Sequence, residues 1–215
     1  MVELPLIKKL KKKIHQEIAM AQDILIREVF NLFKTAVLHG GTSIWRCYSG
    51  NRFSEDVDIY ISPKEKSKIE NLLNNLEKLG FKILKRKLTS NAFYSKLQYQ
   101  KVIIRFEVLF KSVKSYLTRE YEMADGLKIV VNTLSPEKLI EEKTNAYLER
   151  RLIRDIYDIY FLLNFVEDKN YVKKFIAKLL NNFKEPIDEK ELKYLIISGV
   201  APKLEEIIKK IKKYA

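Results

Sequence analysis

The chain holds a single cysteine, Cys47, so no intrachain disulfide can form and nothing suggests a structural zinc site. It has no apolar run long enough to span a membrane and no charged-then-apolar leader with a small-residue cleavage site. Lys8, Lys9, Lys11, Lys12 and Lys13 interrupt the N-terminal region too early for a signal core. No internal repeat or low-complexity linker breaks the chain. These absences predict a soluble, cytoplasmic protein that does not engage a membrane. Negative charge is also short. Against 41 Lys and Arg there are 28 Asp and Glu, a formal charge of +13. Such an excess favours polyanionic partners. A lysine-rich proteome is the plainer explanation, but it usually brings compensating glutamate.

What is present argues for a folded core. Hydrophobic residues make up 47% and aromatics 11% of 215 residues, which excludes general disorder and allows one large domain or two small ones.

The most informative stretch runs from Leu38 to Ile61. An apolar run, Ala36 to Leu38, reads as a short buried strand, and Gly40-Gly41 then leads into Thr42 and Ser43 at the start of a predicted helix. After Ser49-Gly50-Asn51 the chain re-enters a strand carrying Asp56 and Asp58 around Val57. Strand residues two apart share a face, with Cα atoms ~6.5–7 Å apart. Two carboxylates that close repel unless a cation neutralises them, and hard oxygen donors suit Mg²⁺ shared with substrate phosphates. Glycines let backbone approach a ligand, and a helix N-terminus offers free N–H groups to anions. Either half alone is commonly an ordinary turn or a solvated strand end. In the order strand, Gly-Gly, helix, strand, Asp-x-Asp, they point together to nucleotide chemistry.

Gly40-Gly41-Thr42-Ser43 followed by Arg52-Phe53-Ser54-Glu55-Asp56-Val57-Asp58 resembles the signature of the AbiEii/AbiGii nucleotidyltransferase-like toxins, members of the DNA polymerase β-type superfamily. The second half of that family carries a lysine and then an Arg-Asp-x-x-Asp-Leu/Ile-Tyr motif, which Lys143 and Arg154-Asp155-Ile156-Tyr157-Asp158-Ile159-Tyr160 resemble. The resemblance covers about Val37 to Leu162 and leaves the helices beyond Asn164 unassigned.

The rest of the chain is read from its periodicity. Leu4 to Lys34 is predicted helical, in one piece or two, from apolar spacing at three and four. Its lysines are a solvated face or phosphate contacts, and His15 is a surface or boundary residue. Ser62-Pro63-Lys64-Glu65 predicts a capped helix start with a capping box, and Gly80 its stop. Phe81–Leu88, Ala92–Gln98 and Val102–Phe110 read as strands, and Leu127–Val131 as the last one. Ser135-Pro136 opens a helical remainder. In Val102–Phe110, Glu107 interrupts an apolar pattern: the resemblance makes it the third carboxylate, although Asp is commoner there, and an ion pair with Arg105 or a neighbouring lysine at a sheet edge is the alternative. Arg154 and Asp158, four apart, could equally be an ordinary intrahelical ion pair.

The expectation is therefore an α+β protein: residues 1–134 form a polymerase β-like core, a small mixed sheet flanked by helices, and residues 135–215 form a helical domain. As the resemblance implies, it transfers a nucleotide from a nucleoside triphosphate to an RNA acceptor, the tRNA 3′ end, as a type IV-like abortive-infection toxin with a cognate antitoxin. Asp56, Asp58 and Glu107 would bind Mg²⁺ or Mn²⁺ and, with Lys143 and Asp158, form the catalytic set. Gly40, Gly41, Thr42, Ser43, Arg52, Ser54, Lys143, Arg154 and Asp155 would bind the nucleotide, in a cleft between the two parts. Lys82, Lys85, Arg86, Lys87, Arg150, Arg151 and Arg154 are expected phosphate contacts for RNA. A kinase or protein-nucleotidylating enzyme on the same scaffold, and a non-catalytic RNA-binding module, stay open.

Overall fold

The computed structural model describes residues 4–215. The chain divides into two compact units: the described part of Met1–Ser49 with Phe53–Leu134, and Gly50–Arg52 with Ser135–Ala215. The three residues Gly50–Arg52 thus leave the unit that surrounds them in sequence.

The first unit begins with α1 (Leu6–Lys9) and α2 (Lys13–Leu32), then β1 (Val37–His39), α3 (Gly40–Cys47) and β2 (Val57–Ile61). A 3-10 stretch, Pro63–Lys68, leads into α4 (Ile69–Lys78). Five strands follow: β3 (Phe81–Leu88), β4 (Ala92–Tyr99), β5 (Val102–Phe110), β6 (Leu117–Glu122) and β7 (Lys128–Thr133). All seven strands join one mixed sheet in the order β3-β4-β5-β2-β1-β7-β6. β2 runs parallel to β5 and β1 to β7, and the remaining pairs are antiparallel. β6 went unread in the sequence. Its residues, Leu-Thr-Arg-Glu-Tyr-Glu, bury only Tyr121, so little apolar alternation marks them.

Alternation along β5 decides which side of the sheet is covered. Val102, Ile104, Phe106 and Val108 are buried, whereas Ile103, Arg105 and Leu109 are exposed and Glu107 half-buried. α2 packs on the buried side and buries Ile18, Leu25 and Val29, seven and four residues apart on one helical face. The opposite face of β3, β4 and β5 stays open, with Tyr94 and Lys96 of β4 exposed on it.

One local expectation needs correction. Ser62 caps its helix by accepting from Lys64 N, but Glu65 does not close a capping box. Its carboxylate takes Thr35 N at 3.0 Å, the Thr35 hydroxyl and Lys68 Nζ at 2.6 Å, while Ser62 N donates to Thr35 Oγ1. These partners hold Glu65 down to a pKa of about 2 against the cost of burial. His15 is half-buried, at the boundary as expected, and its ring stacks on Phe53 with centroids 3.9 Å apart.

The second unit is helical: α5 (Pro136–Arg150), α6 (Ile153–Leu162), α7 (Lys169–Asn181), a 3-10 turn at Glu189–Glu191, α8 (Leu192–Leu195) and α9 (Leu204–Lys212). Ser135 caps α5 and Pro136 fills its first turn. Arg151 ends that helix at φ +54. Asn51 and Arg52 are sewn to this unit's C-terminal segment. Asn51 exchanges hydrogen bonds with Ser198, and Arg52 forms a backbone bridge to Ile196. Among the described residues no helix is long and apolar enough to cross a membrane.

Candidate active site

In the first unit the site is built from the junction of β1 with α3. Gly40 has φ +70, a left-handed conformation that favours glycine. A Cβ at this position would lie 2.2 Å from Asp58 Oδ2. The glycine is therefore required by the carboxylate. The antiparallel pairing of His39 with Asp58 sets this approach, and the His39 ring stacks on Tyr60 with centroids 3.8 Å apart.

Thr42 and Ser43 do not offer their hydroxyls outward. Both are fully buried: Thr42 donates to the Asp56 carbonyl, and Ser43 pairs with Thr133 Oγ1, which itself donates to Leu38 O at 2.9 Å. What remains for an anion at this end of α3 is the set of backbone N–H groups that a helix N-terminus leaves over. Gly41 is buried beside them. Ser54 is buried too, and its carbonyl accepts from Gln22 Nε2 at 2.9 Å.

Asp58 lies in β2 directly opposite Glu107 of β5 in the parallel register. Paired residues on neighbouring strands share a face, so these two carboxylates stand side by side on the open face. Burial, then the charges of Asp58 and Asp56, push the Glu107 carboxyl above its ordinary range. Asp56, one residue before the strand, behaves differently. Arg105 grips it in a fork, Nε to Oδ1 at 2.6 Å and Nη2 to Oδ2 at 2.9 Å. The ion pair considered for Glu107 thus goes to Asp56 instead. For that reason Asp56, Asp58 and Glu107 do not converge as three ready metal ligands. Among the described residues no group of three or more His, Cys, Asp or Glu side chains is arranged to hold a metal ion. The Asp58–Glu107 pair still fits a hard cation, because the two carboxylates stand side by side and burial with neighbouring negative charge raises the Glu107 carboxyl.

The second unit carries a ladder of alternating charge. Arg52 is buried and bidentate on Asp158, Nε and Nη2 each at 2.8 Å. Lys143 Nζ lies 2.8 Å from Asp158 and 3.4 Å from Asp155. Arg150 closes the row with a fork on Asp155 at 2.7 and 2.8 Å. Burial works against the Asp158 charge, yet Arg52 and Lys143 outweigh it and hold that carboxyl below its ordinary range. Arg52 is correspondingly raised, with Asp158 overcoming desolvation. Arg154 stays outside the ladder and makes no ion pair among the described residues, because Asp158 is already taken.

The expected RNA contacts divide the same way. Arg150 is committed to Asp155, and Arg86 to Glu70 at 2.9 Å. Lys85 and Lys87 instead line a pocket on the open sheet face with Tyr94, Lys96, Arg105 and Glu107. Sequence reasoning missed the role of Arg105, since its register against Asp56 depends on the parallel β2–β5 pairing. It also missed a buried cluster of Arg46, Asp23 and Tyr121, in which Asp23 additionally accepts from Ala124 N at 2.7 Å. Burial raises the Asp23 carboxyl even so.

Comparison with solved structures finds the same fold in other proteins. JHP933 from Helicobacter pylori superimposes with a TM-score of 0.68 at 17% identity, covering 94% of this chain and 90% of that one. The nucleotidyltransferase toxin MenT4 from Mycobacterium tuberculosis H37Rv gives 0.65 at 16% identity, covering 92% and 81%. No curated protein matches the chain. The family model described as "Nucleotidyl transferase AbiEii toxin, Type IV TA system" matches residues 23–212. The motifs around Gly40 and Asp58 and around Lys143 and Asp158 lie inside that span, and the chain belongs to the AbiEii nucleotidyltransferase toxins of type IV toxin–antitoxin systems.

Proposed function

We propose that the protein transfers a nucleotide from a nucleoside triphosphate to the 3′ end of an RNA, with tRNA as acceptor and Mg²⁺ as the supporting ion. Mn²⁺ would suit the same oxygen donors. The observation that carries this reading is the register of Asp58 with Glu107 on the open sheet face, beside the Gly40 turn. The net charge of +13 supports a polyanionic acceptor.

When bound, the divalent ion would neutralise charge at the α-phosphate and make the attacking hydroxyl more acidic. Asp58 and Glu107 would hold it, joined by Asp56 once that carboxylate lets go of Arg105. Glu107, whose raised pKa suits a general base, takes the proton of the acceptor hydroxyl. The hydroxyl oxygen bonds to the α-phosphorus, the bond from that phosphorus to the bridging oxygen breaks, and pyrophosphate leaves with the electron pair. The N–H groups at the start of α3 steady the phosphates. Lys143 is the proposed counter-charge for the triphosphate, and Asp158 keeps Lys143 and Arg52 in place. Such chemistry depends mainly on positioning and charge. The family brings a cognate antitoxin as the protein partner.

Incubation with each labelled triphosphate, Mg²⁺ and total RNA tests the proposal. Label should appear on tRNA, depend on the metal and disappear with Asp58→Asn. Transfer of a lone phosphate, or label on protein with RNA untouched, would replace this reading by a kinase or a protein-nucleotidylating enzyme.

A further inference from the structure

The open face of β3, β4 and β5 extends the carboxylate site sideways. From Asp58 the register runs to Glu107 on β5, then to Tyr94 on β4, then to Lys87 on β3. One row over, Arg105 pairs with Lys96, and Lys96 with Lys85. Together Lys85, Lys87, Tyr94, Lys96, Arg105 and Glu107 line a pocket of about 340 Å³. Among the described residues Lys85, Lys87 and Lys96 have no carboxylate partner. Tyr94 is 40% exposed, and in the register it stands between Lys87 and Glu107, with Lys96 two residues along its own strand.

We infer that this face is the binding site for the single-stranded end of the acceptor RNA, with Lys85, Lys87 and Lys96 on successive phosphates and Tyr94 stacked under a base. The inference rests on the proposed transfer to RNA and adds where the acceptor lies. Charge complementarity supports it: three unmatched cations on one face ask for an anion. Span supports a strand over a single nucleotide. β3 lies three strand spacings from β2, about 14 Å, so its lysines ask for phosphates in succession beyond the one under attack. An exposed aromatic on an open sheet with flanking cations is also how single strands are held without base pairing.

The test is binding of a 5′-fluorescein 12-mer oligoribonucleotide ending in CCA, followed by anisotropy from 50 to 300 mM salt, with the full chain and no triphosphate. Each phosphate contact contributes roughly −0.7 to the log–log salt slope for a single strand. Combined Lys85→Ala, Lys87→Ala and Lys96→Ala should therefore flatten the slope by about 2. Tyr94→Ala should weaken binding roughly tenfold at every salt concentration without changing the slope, and Tyr94→Phe should restore it. Lys173→Ala with Lys209→Ala, both on exposed helical positions of the other unit, should change the slope far less.

Omitting triphosphate separates this inference from the reaction. If the lysine variant loses RNA while the wild type never labels RNA, the site stands and the proposed acceptor chemistry fails. If the wild type labels RNA and the lysine variant keeps its slope and its KM for RNA, the chemistry stands and the site is overturned. A raised KM for the triphosphate alone, or lost labelling of a protein with RNA binding unmoved, also overturns it, assigning the face to the nucleotide or to a protein.

Discussion

The two units treat charge in opposite ways. In the second, Asp158 and Asp155 are each held by two cations, and the Asp158 carboxyl lies below its ordinary range. In the first, Asp58 and Glu107 stand abreast, the Glu107 carboxyl is pushed up, and the nearby guanidinium of Arg105 is spent on Asp56. A carboxylate that already has its counter-charge is fixed in place and serves as scaffold. One raised by burial and neighbouring charge, as Glu107 is, can take up a cation or a proton, and the proposed chemistry is assigned there. The units thus differ in kind: one sets its carboxylates in a frame of cations, and the other sets two of them side by side.

The sharpest way to break this contrast is to remove one carboxylate from each. Asp58→Asn should lower transfer by ~10³-fold or more, since several kcal/mol of charge stabilisation goes with it. The melting temperature should hold or rise, because repulsion with Glu107 is relieved. Asp158→Ala should do the reverse to the fold: Arg52 and Lys143 lose their buried counterion, at a cost of about 3–5 kcal/mol. Urea unfolding of both variants alongside a transfer assay checks the pair. Equal stability losses would end the distinction.

Acid sharpens the contrast with a smaller effect. Asp158 releases its proton more readily folded than unfolded, so its contribution is complete above the ordinary carboxylate pKa of about 4. It fades as the pH falls below that value. Glu65 has the same sign, and its share is lost between its ordinary 4.5 and about 2. Glu107 has the opposite sign: its folded pKa is raised, so its ionisation costs stability as the pH rises past the ordinary value. Glu107→Gln should therefore raise the melting temperature at pH 7 by roughly 1–3 °C, and the gain should vanish near pH 4. Thermal melts across pH 3–8 read both signs.

The smallest expected effect concerns Arg105. Arg105→Ala frees Asp56 to join Asp58, so the Mn²⁺ or Mg²⁺ concentration that stabilises the protein should drop several-fold. Titrating the melting temperature with each metal measures it. An unchanged midpoint would mean that Arg105 does not compete with the ion.

Much of this was legible in the sequence because it is local. The Gly-Gly turn, the Asp-x-Asp spacing, the alternation of β5 and the Ser-Pro helix start each lie within a few residues. The position of Glu107 was also readable, since one charged residue in an apolar strand stands out. What escaped depended on pairing between distant segments. The fork of Arg105 on Asp56 follows from a parallel register that no spacing reports. The burial of Ser43 against Thr133 joins residues ninety positions apart. Glu65 looked like a capping residue until Thr35 and Lys68 competed for it. β6 lacks the apolar alternation that would reveal a strand.

The excursion of Gly50–Arg52 into the second unit has a consequence for synthesis on the ribosome. Arg52 needs Asp158, which is 106 residues later in the chain. At ~5–20 residues per second, the arginine waits roughly 5–20 s before its partner is made. Throughout that interval a buried cation of the finished fold has no counter-charge. The nascent strand–turn–helix around Gly40 can form early, but its neighbour Arg52 cannot settle until α6 emerges. A chain cut short before residue 158 would keep the reactive carboxylates and lack the pairing that holds Arg52. Release of a competent enzyme is thereby tied to translation well into the second unit.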